Sequence, residues 1–135
     1  MDYYVNWIAV LVATIAGYAL GAVWYSPLLF VKPWLADLGK QREEMGKMGP
    51  AMTVGFIATL VTAVTIELVL SKFYAGTVTM MTGIKVGLLL GVGVYAVTLL
   101  SDYMYANYPR RLFAINAGYR VLMMTIMGAI LGAWR

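Results

Sequence analysis

The sequence predicts an all-helical, polytopic membrane protein with four transmembrane helices, and three observations carry that prediction. The first is composition: of 135 residues, 62% are apolar and 12% charged, against about 45–50% and about 25% in ordinary soluble domains. So small a chain buries too little of its surface to hide that much apolar side chain from water. The second is that the apolar residues fall into four runs, each close to the ~20 residues a helix needs to cross ~30 Å of hydrocarbon. The third is that the charges and most of the aromatic rings collect at the ends of those runs, where headgroups would hold them. Backbone groups in lipid must be satisfied within their own segment, so the spans are expected to be helices. A single domain over residues 1–135 follows, folded as two hairpins.

The first run, about residues 4–30, has no charge and is long enough to tilt or to extend beyond the bilayer past Pro27. The second, about 51–71, contains Glu67. The third, about 85–105, contains Asp102, and the fourth, about 112–134, contains Arg120. Between the first two lies "VKPWLADLGKQREEMGKMGP". Its stretch from Pro33 to Met45 is expected to form a short cytoplasmic surface helix with proline in the first turn, where the missing N–H costs nothing. Gly46, Gly49 and Pro50 are expected to end it. "KFYAGTVTMMTG" joins the second pair, and "NYPRR" makes a tight third turn. The start, "MDYYVNW", has no basic n-region, which argues against a cleaved signal peptide.

Four spans place both termini on one side. The first and third loops hold Lys32, Lys40, Arg42, Lys47, Arg110 and Arg111, and the terminal side holds Lys72, Lys85 and Arg135. The positive-inside rule then puts loops 1 and 3 in the cytoplasm and both termini outside. A dual-topology chain is the alternative. The net charge of +4 is scattered along span ends, which fits lipid headgroups and not nucleic acid. With no cysteine and no histidine, soft metal sites, disulfides and the usual neutral-pH proton shuttle are excluded. No metal and no cofactor are therefore expected.

Small residues recur every four positions: Ala9, Ala13, Gly17 and Gly21; Gly83, Gly87 and Gly91; Ala114 and Gly118; Gly128 and Gly132. Such spacing keeps them on one helix face, where backbones can approach closely. The ordinary use is packing within the chain. The sharper one is a seam between identical chains, and a four-helix chain with little room to enclose a site favours a homo-oligomer.

Arg120 lies eight residues beyond Leu112, hence about 12 Å in from the cytoplasmic edge. A lone charge there costs at least ~2.5–3.5 kcal/mol on insertion scales, so it calls for a partner. Folding the third turn brings Asp102 level with Asn116, one helical turn from Arg120, which makes an Asp102–Arg120 pair reasonable. "WYSP" arrives at similar depth from the first span, so Tyr25 and Ser26 complete a polar cluster with Asp102, Asn116 and Arg120. On the outer side, Glu67 is expected to pair with Lys85. As structure, this describes hairpins clipped by salt bridges. As function, the inner cluster would hold an anionic or polar solute on Arg120, or gate a proton through Asp102. The last span carries Asn116, Arg120, Met123 and Met127 on one face and Gly118, Thr125, Gly128 and Gly132 on or near the other, which makes it a central helix.

"GYALGAVWYSPLLFVKPW", "NAGYR" and the terminal "MGAILGAWR" together resemble a bacterial membrane family known as domain of unknown function 1761. The resemblance implies a small four-span protein of the bacterial inner membrane, without an assigned activity. It adds Tyr119 to Tyr25, Ser26 and Asn116 as the shared region. The expected function is a homo-oligomeric transporter or channel for a small solute or ion. The alternative is a structural or regulatory module acting through helix–helix packing with a partner. An enzyme is not expected, because no nucleophile–base pair, metal set or phosphate loop is present.

Overall fold

A computed structural model describes residues 5–39, 48–74 and 76–134, and all regular structure among them is helical. Helix α1, Trp7–Trp24, begins at Asn6, whose side-chain oxygen accepts from the Ala9 N–H at 3.1 Å and satisfies one of the orphan donors of the first turn. The same side chain donates to the Trp134 carbonyl at 3.1 Å, so the two described ends of the chain meet. α1 stops at Trp24 and not at residue 30. Ser26 precedes Pro27 and is biased away from helical backbone. Residues 25–30 form a turn instead, with Ser26 Oγ donating to the Val23 carbonyl at 2.6 Å and the Phe30 N–H to Trp24 at 3.1 Å.

Helix α2, Val31–Leu38, holds Pro33 in its first turn and is stopped by Gly39 in the left-handed conformation, φ 71°. It therefore starts earlier and stops sooner than the expected Pro33–Met45; residues 40–47, with the expected stop at Gly46, lie outside the described residues. Helix α3, Met48–Phe73, takes Gly49 and Pro50 into its own first turn, where the expected reading made them breakers. Its threonines stay compatible with an apolar span by bonding back along the helix: Thr59 donates to Gly55 at 2.8 Å and Thr62 to Ala58 at 2.8 Å.

Helix α4, Met80–Leu90, is capped by Thr79, whose Oγ1 accepts from the Thr82 N–H at 3.2 Å. The third span thus begins ahead of the expected Lys85. It passes through a π-helical turn, Gly91–Ala96, and continues as α5, Val97–Ala106, closed by Asn107 at φ 58°. Helix α6 is Arg110–Ala133. Four helical stretches, Trp7–Trp24, Gly49–Phe73, Met80–Ala106 and Arg110–Ala133, are long and apolar enough to cross a membrane.

α6 is the most buried of the four and packs against α4 on one side and α1 on the other. Against α4 the contact is backbone on backbone. A Cβ added to Gly83 would strike the Gly128 carbonyl, one added to Gly87 the Met124 carbonyl, and one added to Gly132 the Thr79 carbonyl. Against α1 the contact is side chain on backbone. A Cβ on Gly17 would lie 2.9 Å from both Met123 and Met127. α3 packs more on α1 than on α4, the helix that follows it, so the expected hairpin of second and third spans is a minor contact. The outer faces carry exposed Ile8, Leu11, Val54, Leu89 and Val94, an apolar girdle that suits lipid.

Candidate functional site

The "WYSP" segment ends α1 where the chain must turn, and the turn presses its two aromatic residues onto α6. Trp24 donates its indole N–H to the Ile115 carbonyl at 2.9 Å, and its ring covers Gly118, where a Cβ would come within 3.2 Å. Tyr25 donates its hydroxyl to Asn116 Oδ1 at 2.7 Å. Asn116 in turn donates through Nδ2 to the Tyr103 hydroxyl at 2.6 Å. Tyr119, one turn of α6 beyond, donates to the Gly17 carbonyl at 3.1 Å. Its hydroxyl occupies the space left by Gly21, where a Cβ would lie 2.7 Å away. The Tyr25 and Tyr119 rings meet edge to face with centroids 5.5 Å apart. A chain of phenols and one amide therefore ties α5, α6 and the end of α1 together.

Beside this chain, α1, α3 and α6 stand apart around a cavity of about 450 Å³. Its polar lining comes from Tyr18, Tyr25, Ser26, Thr59, Tyr119 and Arg120, and the rest of the wall is mainly apolar or small, including Gly21, Ala22 and Gly55. Ala22 and Met52 are exposed at its edge, so the cavity is open between α1 and α3.

Arg120 is half-buried at this cavity. Its guanidinium carbon stands 5.0 Å from the centre of the Tyr119 ring, within the range of a cation–π contact. One of its nitrogens, Nη1, donates to the Met123 sulfur at 3.6 Å, a weak acceptor. Tyr25 and Tyr95 lie within electrostatic reach of the charge. Among the described residues no carboxylate stands at ion-pair distance from it.

The structure places Tyr25, Ser26, Tyr119 and Arg120 on one cavity and joins Asn116 to it through Tyr25. It does not bring Asp102 there. Asp102 is exposed on α5, and the expected Asp102–Arg120 pair is not formed. The π turn gives the reason. Eleven residues make about three α-helical turns, so a regular helix would set Asp102 on the face of Gly91. A π turn takes up one residue more, and Tyr103 arrives on that face instead, bonded to Asn116. The Glu67–Lys85 pair is not formed either. α4 turns Gly83, Val86 and Gly87 inward, which leaves Lys85 exposed. Glu67 is fully buried on α3 and accepts from Ser71 Oγ at 3.1 Å.

Sequence reasoning missed Tyr18, Gly55 and Thr59 as cavity wall. Tyr18 stands seven residues before Tyr25, two turns up the same helix face, which was a usable signal. Nothing distinguishes Thr59 from the other threonines of α3. Also missed was a bidentate ion pair at the entrance to α6: Arg111 holds Asp37 of α2 with Nη2–Oδ1 at 2.7 Å and Nε–Oδ2 at 2.8 Å. The hydrogen bond from Arg111 keeps the Asp37 carboxyl below the usual carboxylate range.

No curated protein and no solved structure matches the chain. A family model does, over residues 8–132, carrying the description "Protein of unknown function (DUF1761)". With nearly the whole chain covered, including the Trp-Tyr-Ser-Pro turn, Asn116, Tyr119 and Arg120, the protein belongs to the DUF1761 family.

Proposed function

We propose that the protein is an integral membrane protein that binds a small anionic solute at Arg120 and passes it across the bilayer as a homo-oligomer. The single observation that carries this reading is the half-buried guanidinium facing a cavity with no carboxylate partner among the described residues. A cation in an apolar span is costly without a counter-charge, and a solute anion supplies one. Arginine suits the task because its planar fork takes a carboxylate in two parallel hydrogen bonds. In this reading the basic first and third loops face the cytoplasm, both termini lie outside, and the cavity opens toward the cytoplasmic half. The open side between α1 and α3 favours an oligomer, since a neighbouring chain would close it. The outer apolar girdle and the four long apolar helices support residence in a membrane.

The test is flux of small carboxylates into liposomes holding the purified protein. Arg120→Ala is expected to reduce flux to that of empty liposomes. Its thermal midpoint in detergent should stay level or rise, because an unmatched charge has been removed. Arg120→Lys keeps the charge but loses the fork and should fall between. Asp102→Asn should transport as wild type. Transport by Arg120→Ala at the wild-type rate would sink the proposal.

A further inference from the structure

The hydrogen-bond inventory of the same cavity narrows the solute further. Five hydroxyl groups line it, and each hydroxyl has one proton to give. All five protons are committed to the protein. Tyr18 donates to the Met52 carbonyl at 3.3 Å, Tyr25 to Asn116 at 2.7 Å, Ser26 to Val23 at 2.6 Å, Thr59 to Gly55 at 2.8 Å and Tyr119 to Gly17 at 3.1 Å. What these groups still offer is oxygen lone pairs. The uncommitted side-chain donors of the wall belong to Arg120, whose five N–H groups meet the Met123 thioether and lie in hydrogen-bonding reach of the Tyr95 hydroxyl. The cavity is therefore divided: one cationic donor group, and otherwise acceptors set in an apolar wall.

Resting on the reading of Arg120 as an anion anchor, we infer that the solute is a hydroxy-monocarboxylate with an apolar body, its carboxylate on Arg120 and its hydroxyl donating to the cavity oxygens. A single guanidinium balances a single negative charge, and a dianion would leave one charge uncompensated in a poorly solvated space. A plain carboxylate of the same shape matches the charge but offers only acceptors, so the oxygens around it stay unpaired. An amino acid offers donors but brings a second positive charge next to Arg120. The apolar wall excludes polyols, which would bury hydroxyls without partners. At about 450 Å³ the space lies within the range of ordinary small-molecule sites, about 300–1,000 Å³.

The experiment is equilibrium binding to the full chain in detergent, read by calorimetry, with matched pairs of acids. The pairs are mandelate and phenylacetate, 4-hydroxyphenylacetate and phenylacetate, and 2-hydroxy-4-methylpentanoate and 4-methylpentanoate, with L-leucine and L-phenylalanine as zwitterions. In at least one pair the hydroxy acid should bind about tenfold tighter than its deoxy partner, consistent with a paired rather than an unpaired polar group. Binding should be lost in Arg120→Ala. The ratio within that pair should shrink in at least one of Thr59→Val, Tyr18→Phe and Ser26→Ala, each of which removes one acceptor oxygen. If the deoxy acids bind as tightly, or the amino acids bind tighter, while all still require Arg120, this inference falls and the anion anchor stands. If the ratio survives all three variants, the hydroxyl is read elsewhere and the inference falls as well. If no acid binds in an Arg120-dependent way, both fall together.

Discussion

α6 has two faces that solve opposite problems. Toward α4 it presents Gly128 and Gly132 to Gly83 and Gly87, and the backbones come so close that no side chain fits between them. Toward α1 and α3 it presents Tyr119 and Arg120, which line a cavity between the three helices. In lipid the hydrophobic effect cannot drive helices together, so association rests on close packing and polar contacts. The glycine seam has the packing, and the phenol–amide chain has the polar contacts. The lesson is a division of labour: the seam without side chains brings two helices into backbone contact, and the face with them leaves a cavity.

That contrast breaks most sharply at the glycines. Gly87→Ala would drive a Cβ into the Met124 carbonyl, a rigid backbone atom, so the two helices must separate. Overpacking of a tight core typically costs about 1–3 kcal/mol and at times more, and a rigid backbone neighbour puts this case at the upper end. Gly55→Ala, on the cavity wall, meets only the Tyr18 ring at 3.8 Å. There alanine's better helix propensity, worth up to about 1 kcal/mol, should show as neutral or stabilising. Reversible unfolding in mixed micelles compares the two directly. Equal losses at both positions would mean that the seam and the cavity wall are packed alike.

The sequence was informative about depth and less so about direction. The positions of the four spans follow from hydropathy, and all four apolar runs appear as long helices. Which residue of the third span would reach Asn116 depended on rotation about the helix axis. The expectation chose Asp102, and the π turn at Gly91–Ala96 rotated Tyr103 into that place. A single inserted residue leaves a hydropathy profile nearly unchanged while turning the helix by about 100°. Tyr25 and Ser26, just past the end of α1, and Arg120, on α6, have no such turn ahead of them and lie on one cavity, where Tyr119, the residue that the resemblance added, joins them. Asp102 lay beyond one. Glu67 and Lys85 failed for a related reason: opposite charges at matching depth suggested a pair, but the glycine face of α4 decides which way Lys85 points.

A smaller effect separates the polar contacts from the packing. Tyr25→Phe keeps the ring against Tyr119 and Trp34 and removes only the 2.7 Å bond to Asn116. A net hydrogen bond is worth about 1 ± 0.5 kcal/mol. Asn116 keeps its bond to Tyr103, so the loss should fall within that range and well below that of Gly87→Ala. A loss as large as the glycine variant's would show that the phenol–amide chain contributes as much to the fold as the α4–α6 seam.

The smallest effect concerns the ion pair outside the cavity. Asp37 is bonded to Arg111 by both carboxylate oxygens, and its pKa is lowered in the folded chain. A carboxyl depressed by folding contributes stability that is fully present above its unfolded pKa, about 3.9. That contribution fades as pH falls through the folded value. The pair should therefore be insensitive between about pH 5 and pH 8 and weaken only below about pH 4. Because its arginine is exposed, salt should weaken it across the whole range. Asp37→Asn should unfold at nearly the same denaturant concentration as wild type at low pH and slightly earlier at neutral pH. A difference that widens on acidification would mean that Asp37 is held by something other than Arg111. Since α2 touches the bundle mainly at the start of α6, hydrogen exchange in Val31–Leu38 should rise with that loss while the glycine seam stays protected. The two ends of the comparison then separate in one measurement: α2 comes loose on acidification, and α4 stays against α6.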